Sequence, residues 1–430
     1  MKMPVDTIVA LSSGSPPSAI AIVRFSGPGA FAAAATFGAA GLEPRKASLR
    51  TLRAPASGEP IDRAVCLAFP APATATGEDI VEFQCHGSPA VVDRILGEAV
   101  ALSGVRMAEP GEFTLRAVLS GRMGLADAEA LADLIDARTE AERRRALRLS
   151  EGALSARIAD WRDRLVTALA HCEAYIDFTD ESDIPDGAPP VDAATRPLAD
   201  EIGETLAGSR DADKLAEGFR IVLVGPPNAG KSSLINALAG RRVALVSSEA
   251  GTTRDVVSVT LDLGGYRATI SDTAGVRMGA AGVEAMGIER TNEELATADF
   301  VVEVRSPDTL PLSLPATLIV GHKADIGPVP GVDLSTSATD PASIEILAKR
   351  LTEAASRGLA ASEASLVTRA RQRSALLAIL AALEESQATP HLELKAEALR
   401  SACHAMARLT GEIGVEDILD EVFGRFCIGK

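Results

Sequence analysis

The sequence predicts a multidomain chain: an α+β amino-terminal domain, followed by an α-helical domain interrupted by an inserted α/β domain with a phosphate-binding loop. Three observations predict it. The stretch Gly225-Pro226-Pro227-Asn228-Ala229-Gly230-Lys231-Ser232 fits GxxxxGK[ST]; it lies between an apolar β-branched run at 221–224 and a breaker-free helical run at 233–238. Apolar residues recur every three or four positions on both sides of that block, at Leu154, Ile158, Trp161, Leu165, Leu169, Cys172 and Ile176, and again over 366–383 and 392–409. At 430 residues the chain is too long for a single core.

Bulk composition narrows the class. Hydrophobic content of 47% and charged content of 24% describe a globular protein with ample material for burial. The net charge of −16 argues against a broad basic face that clings to nucleic acid or to an anionic membrane, so any RNA contact is local or delegated to a partner. The five cysteines, Cys66, Cys85, Cys172, Cys403 and Cys427, show no CxxC pair, which argues against a disulfide framework or a zinc site. With no signal-peptide pattern and no apolar run of spanning length, a cytoplasmic protein without membrane contact is expected.

In chain order, residues 1–119 read as a small α+β domain. Strands are expected at 19–25, 64–69 and 80–85 and a helix at 89–101. Cys85-His86 suggests a dyad, yet neighbours on a strand face opposite ways, so a structural role is favoured. Residues 120–218 form the first part of the helical domain, broken at 185–190 and resuming through Leu206. The run Arg143-Arg144-Arg145 with Arg148 admits an RNA contact, but a solvated helix face is the simpler reading. The inserted domain spans 219–357, and 358–430 return to helical patterning around Pro390.

Inside the insert the parts of a guanine-nucleotide site follow in order. The backbone of Asn228, Ala229, Gly230 and Ser233 and the helix start would surround the phosphates. Lys231 would reach the β- and γ-phosphates, and the Ser232 hydroxyl would bind magnesium. Gly251-Thr252-Thr253-Arg254-Asp255 precedes a strand-like run at 256–263, and Thr253 is placed to complete the magnesium sphere when a γ-phosphate is present. A strand at 266–271 ends in Asp272-Thr273-Ala274-Gly275, a DxxG motif whose aspartate would hold the metal indirectly and whose glycine amide would sense the γ-phosphate. After the run at 318–320 comes Gly321-His322-Lys323-Ala324-Asp325, where the Asp325 carboxylate can accept from both N1–H and the exocyclic amine of guanine, a pair that adenine lacks. His322 stands where asparagine is usual, which predicts GTP specificity with weakened affinity. Ser337-Ala338 would direct a backbone amide at the guanine O6. The residue after Gly275 is Val276, which cannot orient a water. Glu284 is the acidic candidate for that task, and a solvated helix-start glutamate is its plainer reading.

The assembled pattern resembles the tRNA modification GTPases of the MnmE (TrmE) family over essentially the whole chain. The carrying residues are Ala21-Ile22-Val23-Arg24-Phe25-Ser26-Gly27, Thr76-Gly77-Glu78-Asp79-Ile80-Val81-Glu82, Glu109-Pro110-Gly111-Glu112-Phe113-Thr114, the nucleotide motifs, and the terminal Phe426-Cys427-Ile428-Gly429-Lys430. The resemblance implies a Ras-like α/β P-loop GTPase domain within a helical domain. It also implies an amino-terminal domain, similar to folate-dependent one-carbon enzymes, that dimerises and binds a 5-formyl-tetrahydrofolate-like donor through Arg24, Glu82, Arg122 and Lys430. Arg24 and Lys430 suit the glutamyl carboxylates and Glu82 suits the pterin; Arg122 stands where lysine is common, keeping the charge but changing the geometry. Nucleotide contacts are implied at Ser247, Ser248, Glu249, Ala250, Gly251, Thr252, Thr253, Asp272, Thr273, Ala274, Gly275, His322 and Lys323. A potassium ion is implied at Asn228, Ser247, Glu249 and Thr252, between paired G domains, and Glu284 matches the water-positioning glutamate. Cys427 matches the family's terminal cysteine, although a nucleophile there needs a depressed pKa that the sequence does not show. The implied activity is GTP hydrolysis coupled, with an FAD-dependent MnmG (GidA) partner in a heterotetramer or larger complex, to aminomethyl-type modification at C5 of the wobble uridine of certain tRNAs. A GTP-switched ribosome-assembly factor shares the phosphate-side motifs and is the alternative, but it leaves the terminal CIGK unexplained.

Overall fold

A computed structural model describes residues 6–177, 191–209, 211–240, 258–272, 294–310, 316–411 and 429. By its internal packing the chain divides into two units, Met1–Ala132 with Ser150–Val166 and Arg400–Lys430, and Asp133–Leu149 with Thr167–Leu399.

The first unit is built on six strands: β1 (Thr7–Leu11), β2 (Ser18–Ser26), β3 (Ser48–Arg53), β4 (Pro60–Phe69), β5 (Ile80–Gly87) and β6 (Val105–Met107). Their order is β3-β4-β5-β2-β1-β6; the pairs are antiparallel except β1 with β6. Helices α1 (Ala30–Thr36) and α2 (Pro89–Val100) share their core with the sheet. Period-two alternation sends Val23, Phe25, Phe83 and Cys85 inward, and Phe25, Phe37 and Phe83 meet edge-on or tilted at 5.3–6.2 Å, the spacing that aromatic quadrupoles favour. Strands and a helix stand at the four places expected. Strands β1, β3 and β6 were not foreseen; β3 buries only Leu52 fully, so it carries little apolar signal.

A buried ionic cluster braces this unit. Arg116, on α3 (Glu112–Leu119), is fully buried and pairs with Glu112 at 2.8 Å, Asp6 at 2.9 Å and Glu78 at 3.0 Å. Arg106 grips Glu112 through both terminal nitrogens, at 2.6 and 2.8 Å. Desolvation acts to raise the Glu112 carboxyl, but the bonds from Arg106, the Glu109 amide and Arg116 outweigh it and hold the group below its ordinary value.

The second unit holds another six-stranded sheet: β7 (Phe219–Val224), β8 (Ser258–Asp262), β9 (Arg267–Asp272), β10 (Phe300–Arg305), β11 (Leu318–Gly321) and β12 (Leu334–Ser335), in order β12-β11-β10-β7-β9-β8. All neighbours run parallel except the β8–β9 pair. The apolar runs that sequence reading took for buried strands are β7 and β11, and α9 (Lys231–Ala239) packs against the same core as α10 (Pro341–Ala364). An Asp340 carboxylate caps α10 and Pro341 occupies its first turn, which fixes where it begins. The helix continues past 357, where the insert was expected to end.

The remaining helices are α4 (Leu125–Asp136), α5 (Glu140–Ser150), α6 (Ala153–Asp177), α7 (Val191–Ala207), α8 (Lys214–Glu217), α11 (Ala370–Ala388) and α12 (Leu392–Thr410). Along α6, Leu154, Ile158, Trp161, Leu165 and Cys172 are buried, as the periodicity requires. The arginine run on α5 is largely the solvated face expected: exposed Arg143 pairs with Glu140 at 2.7 Å and exposed Arg144 with Glu363 at 2.8 Å, while buried Arg145 donates to the Ala212 carbonyl at 2.8 Å. Arg148 donates to the Glu363 carbonyl at 2.7 Å.

Candidate functional site: a phosphate loop and an arginine-lined cavity

Strand β7 delivers the chain into the loop 225–230, and α9 leaves it, so the loop amides and the helix start converge on one point. Lys231 is 4% exposed and donates through Nζ to the carbonyls of Gly225 at 2.7 Å and Pro226 at 3.1 Å. Its ammonium lies 4.0 Å from the Asp272 carboxylate at the end of β9. Burial pushes the Lys231 pKa down, and Asp272 works against that. Ser232 Oγ donates to Asp272 at 2.8 Å. A hydroxyl and a carboxylate side by side, next to a buried lysine, are the donor set for a magnesium–polyphosphate pair.

The base side is tied to the phosphate side by two contacts. Lys323, in a left-handed conformation at φ 62°, reaches back to donate to the Asn228 carbonyl at 2.7 Å. His322 is 1% exposed, with Nδ1 3.0 Å from Thr336 Oγ1, and its ring lies against Gly230. A Cβ at Gly230 would approach that ring to 2.4 Å at φ +97°, so the position tolerates only glycine. Burial lowers the His322 pKa and keeps the ring neutral near pH 7. Asp325 is exposed and accepts from Ser337 Oγ at 2.5 Å; that bond is the first reason its carboxyl sits below the ordinary range. The Ser337 amide donates to Ser343 Oγ at 3.1 Å. Thr336, Ser343 and the Ser337 hydroxyl therefore position the base loop, a role that no motif announces.

The structure brings together Asn228, Ala229, Gly230, Lys231, Ser232, Ser233, Asp272, His322, Lys323, Asp325, Ser337 and Ala338 along the ends of β7, β9, β11 and β12. Ser247, Ser248, Glu249, Ala250, Gly251, Thr252, Thr253, Thr273, Ala274, Gly275, Val276, Glu284, Cys427 and Lys430 lie outside the described residues.

The first unit carries a cavity of about 270 Å³ lined by Arg24, Arg45, Phe69, Ile80, Glu82 and Arg122, among others. Arg24 Nε donates to Glu82 Oε1 at 2.8 Å across the β2–β5 register, and its guanidinium lies 5.6 Å over the Phe113 ring. Arg24 and Glu82, expected to serve the glutamyl carboxylates and the pterin of a folate, form one ion pair. The Cys85-His86 dyad is excluded: burial pushes the Cys85 thiol up to about 11, while His86 turns outward to Asp62 at 2.8 Å.

A mostly parallel sheet with a glycine loop leading into a helix, a buried lysine, and a serine hydroxyl bonded to the aspartate at the next strand end define a P-loop GTPase domain. The chain around it matches two family models, the GTP-binding protein TrmE N-terminus over residues 7–122 and the MnmE helical domain over 125–427. It is 46% identical over 440 residues to the tRNA modification GTPase MnmE of Methylobacterium radiotolerans and 44% identical over 435 residues to that of Azorhizobium caulinodans, with 99% of each chain covered. The chain belongs to the MnmE (TrmE) family of tRNA modification GTPases. The solved G domain of the T. maritima FeoB iron transporter aligns over 98% of its own length with 32% of this chain, at 21% identity and a TM-score of 0.24. Among the described residues no helix is long and apolar enough to cross a membrane.

Proposed function

We propose that this GTPase acts with an FAD-dependent MnmG (GidA)-type partner to install an aminomethyl or carboxymethylaminomethyl group at C5 of the wobble uridine of certain tRNAs, drawing its carbon from a formyl-tetrahydrofolate-type donor. The observation that carries this reading is one chain holding a phosphate-loop site and a separate arginine-lined cavity, within a family match that runs through both.

In the nucleotide site Asp325, oriented by Ser337, accepts from N1–H and the exocyclic amine of guanine. With the Ser337 amide engaged by Ser343, the Ala338 amide is the one that serves O6. Lys231 moves from the Gly225 and Pro226 carbonyls onto the phosphates, exchanging neutral acceptors for charged ones. Ser232 and Thr253 would hold a magnesium ion, which would supply positive charge against the phosphates. Glu284 orients the water in place of Val276. Asn228, Ser247, Glu249 and Thr252 would hold a potassium ion, which would supply the positive charge that an arginine finger supplies elsewhere.

In the cavity Glu82, held by Arg24, accepts from pterin N–H groups, while Arg122 and Lys430 meet the carboxylates. Gly429 supports the last assignment. It is buried at φ +99°, and a Cβ there would meet the Leu11 carbonyl at 1.8 Å, one register step from the β1 residue that pairs with Arg24. We read residues 1–119 as the folate-binding and dimerisation domain and 120–218 with 358–430 as one helical domain around a G domain at 219–357. Mass spectrometry of tRNA nucleosides from a deletion strain tests the proposal. Loss of C5-modified wobble uridine is expected, and an unchanged nucleoside profile would contradict it.

A further inference from the structure

The cavity holds more positive charge than the assigned residues use. Three arginines line it against one carboxylate, Glu82, and Arg24 already neutralises that group. Among the described residues Arg45 and Arg122 have no acidic partner, and both are exposed. Burial also gives the cavity a direction. The Arg24 and Glu82 side chains are 26% and 13% exposed, so the neutralised pair lies deep and the two uncompensated arginines stand at the rim. A ligand complementary to this arrangement has a flat, neutral, N–H-bearing end inside and an anionic tail that leaves past the rim.

Arg45 is fixed at that rim rather than waving in solvent. Its backbone adopts φ 59°, its amide donates to the Ala68 carbonyl at 2.8 Å, and its guanidinium lies 5.6 Å from the Phe69 ring centre. One terminal nitrogen donates to the Ala73 carbonyl. A guanidinium carries five N–H donors, so most of its fork stays available for a carboxylate, and the entropy of placing it is already lost before a ligand arrives.

Building on the folate reading above, we infer that Arg45 is a second tail-binding residue that recognises carboxylates beyond the first glutamyl unit, making this cavity selective for folates with a multiply charged γ-glutamyl tail. Arg122 meets the first glutamate and Arg45 the next.

Calorimetric titration of the full-length protein with 5-formyl-tetrahydrofolate, as the monoglutamate and as the triglutamate at fixed salt, tests this. Wild type binds the triglutamate tighter by roughly tenfold, about 1.4 kcal/mol. Arg45→Asn, a residue suited to positive φ, brings that ratio near one and leaves monoglutamate affinity within about twofold; Arg45→Lys restores part of the ratio. A wild-type ratio of one, or a ratio that survives Arg45→Asn, overturns the inference while the folate reading stands. Failure of wild type to bind either folate overturns both. Weakened tRNA binding with unchanged folate affinities in Arg45→Asn assigns the rim to RNA and overturns the inference.

Discussion

The two candidate sites of this chain are built by opposite means. The nucleotide site is made mostly of backbone and of residues adjacent in sequence: one loop, one helix start, and short motifs at the ends of parallel strands. The amino-terminal cavity is made of side chains from four separate places, Arg24 on β2, Arg45 before β3, Glu82 on β5 and Arg122 after α3, in the same unit as the Arg116 ionic cluster. A backbone site survives sequence drift and shows itself as spacing. A side-chain site depends on the pillars that hold its walls, and those pillars are invisible to a motif.

The comparison breaks most visibly at the catalytic step. Glu284→Ala should abolish GTP turnover while nucleotide still binds, and replacing potassium with sodium should slow the wild type substantially. Steady-state phosphate release in the two salts checks this; equal rates would remove the potassium assignment and leave Val276 without an account. In the other region the largest effect falls on folding. Removing one partner of a buried ionic cluster leaves the others desolvated and unpaired, so Arg116→Ala should cost about 3–5 kcal/mol. Loss of cavity binding should accompany it. An unshifted thermal transition would show that the cluster does not brace the cavity.

Acid should act on the same cluster. Glu112 is lowered in the folded protein, so its stabilisation is fully present above its ordinary value of 4.5 and is lost as pH falls below that toward the folded-state value. Asp6 behaves alike: desolvation raises it, the bonds from Arg106 and Arg116 prevail, and its contribution fades below 3.8. Denaturant titrations between pH 7 and pH 3 should show this fall, and Glu112→Gln should flatten it. The smallest effect belongs to His322, whose buried ring fills the space between Gly230 and Thr336. His322→Asn should tighten GDP and GTP binding several-fold; an unchanged dissociation constant would show that the histidine costs the site nothing.

How much of this was legible follows from the same contrast. Lys231, Ser232, Asp272, Lys323 and Asp325 were readable because each sits at a fixed offset from a strand end, and the fold brings Lys231, Ser232 and Asp272 together and ties Lys323 to the same loop. Helices α6, α7, α11 and α12 were readable from periodicity, whereas α10 was not foreseen. Arg45 was not, because nothing in its neighbourhood distinguishes it from an ordinary surface arginine until Phe69 and Ala73 fold onto it. Glu112 was quoted within a motif without a role, since its partner Glu78 across Arg116 lies 34 positions earlier in the chain (112 − 78). In the Arg143–Arg148 run, Arg143, Arg144 and Arg148 stay exposed, as a solvated helix face requires, while Arg145 alone is buried against the Ala212 carbonyl, a partner remote in sequence. Pairing Arg24 with Glu82 likewise needed the β2–β5 register, which sequence alone does not supply.

The most direct test of the account concerns Asp325 as the reader of the base. Xanthine carries a carbonyl where guanine carries the exocyclic amine, so an amide side chain at this position matches xanthine and mismatches guanine. Affinities of wild type and Asp325→Asn for GTP and xanthosine triphosphate should be measured side by side. Wild type should prefer GTP, and the variant should lose GTP affinity by at least about a hundredfold while gaining xanthosine triphosphate. Undiminished GTP binding in Asp325→Asn would contradict the assignment of this loop as the guanine site.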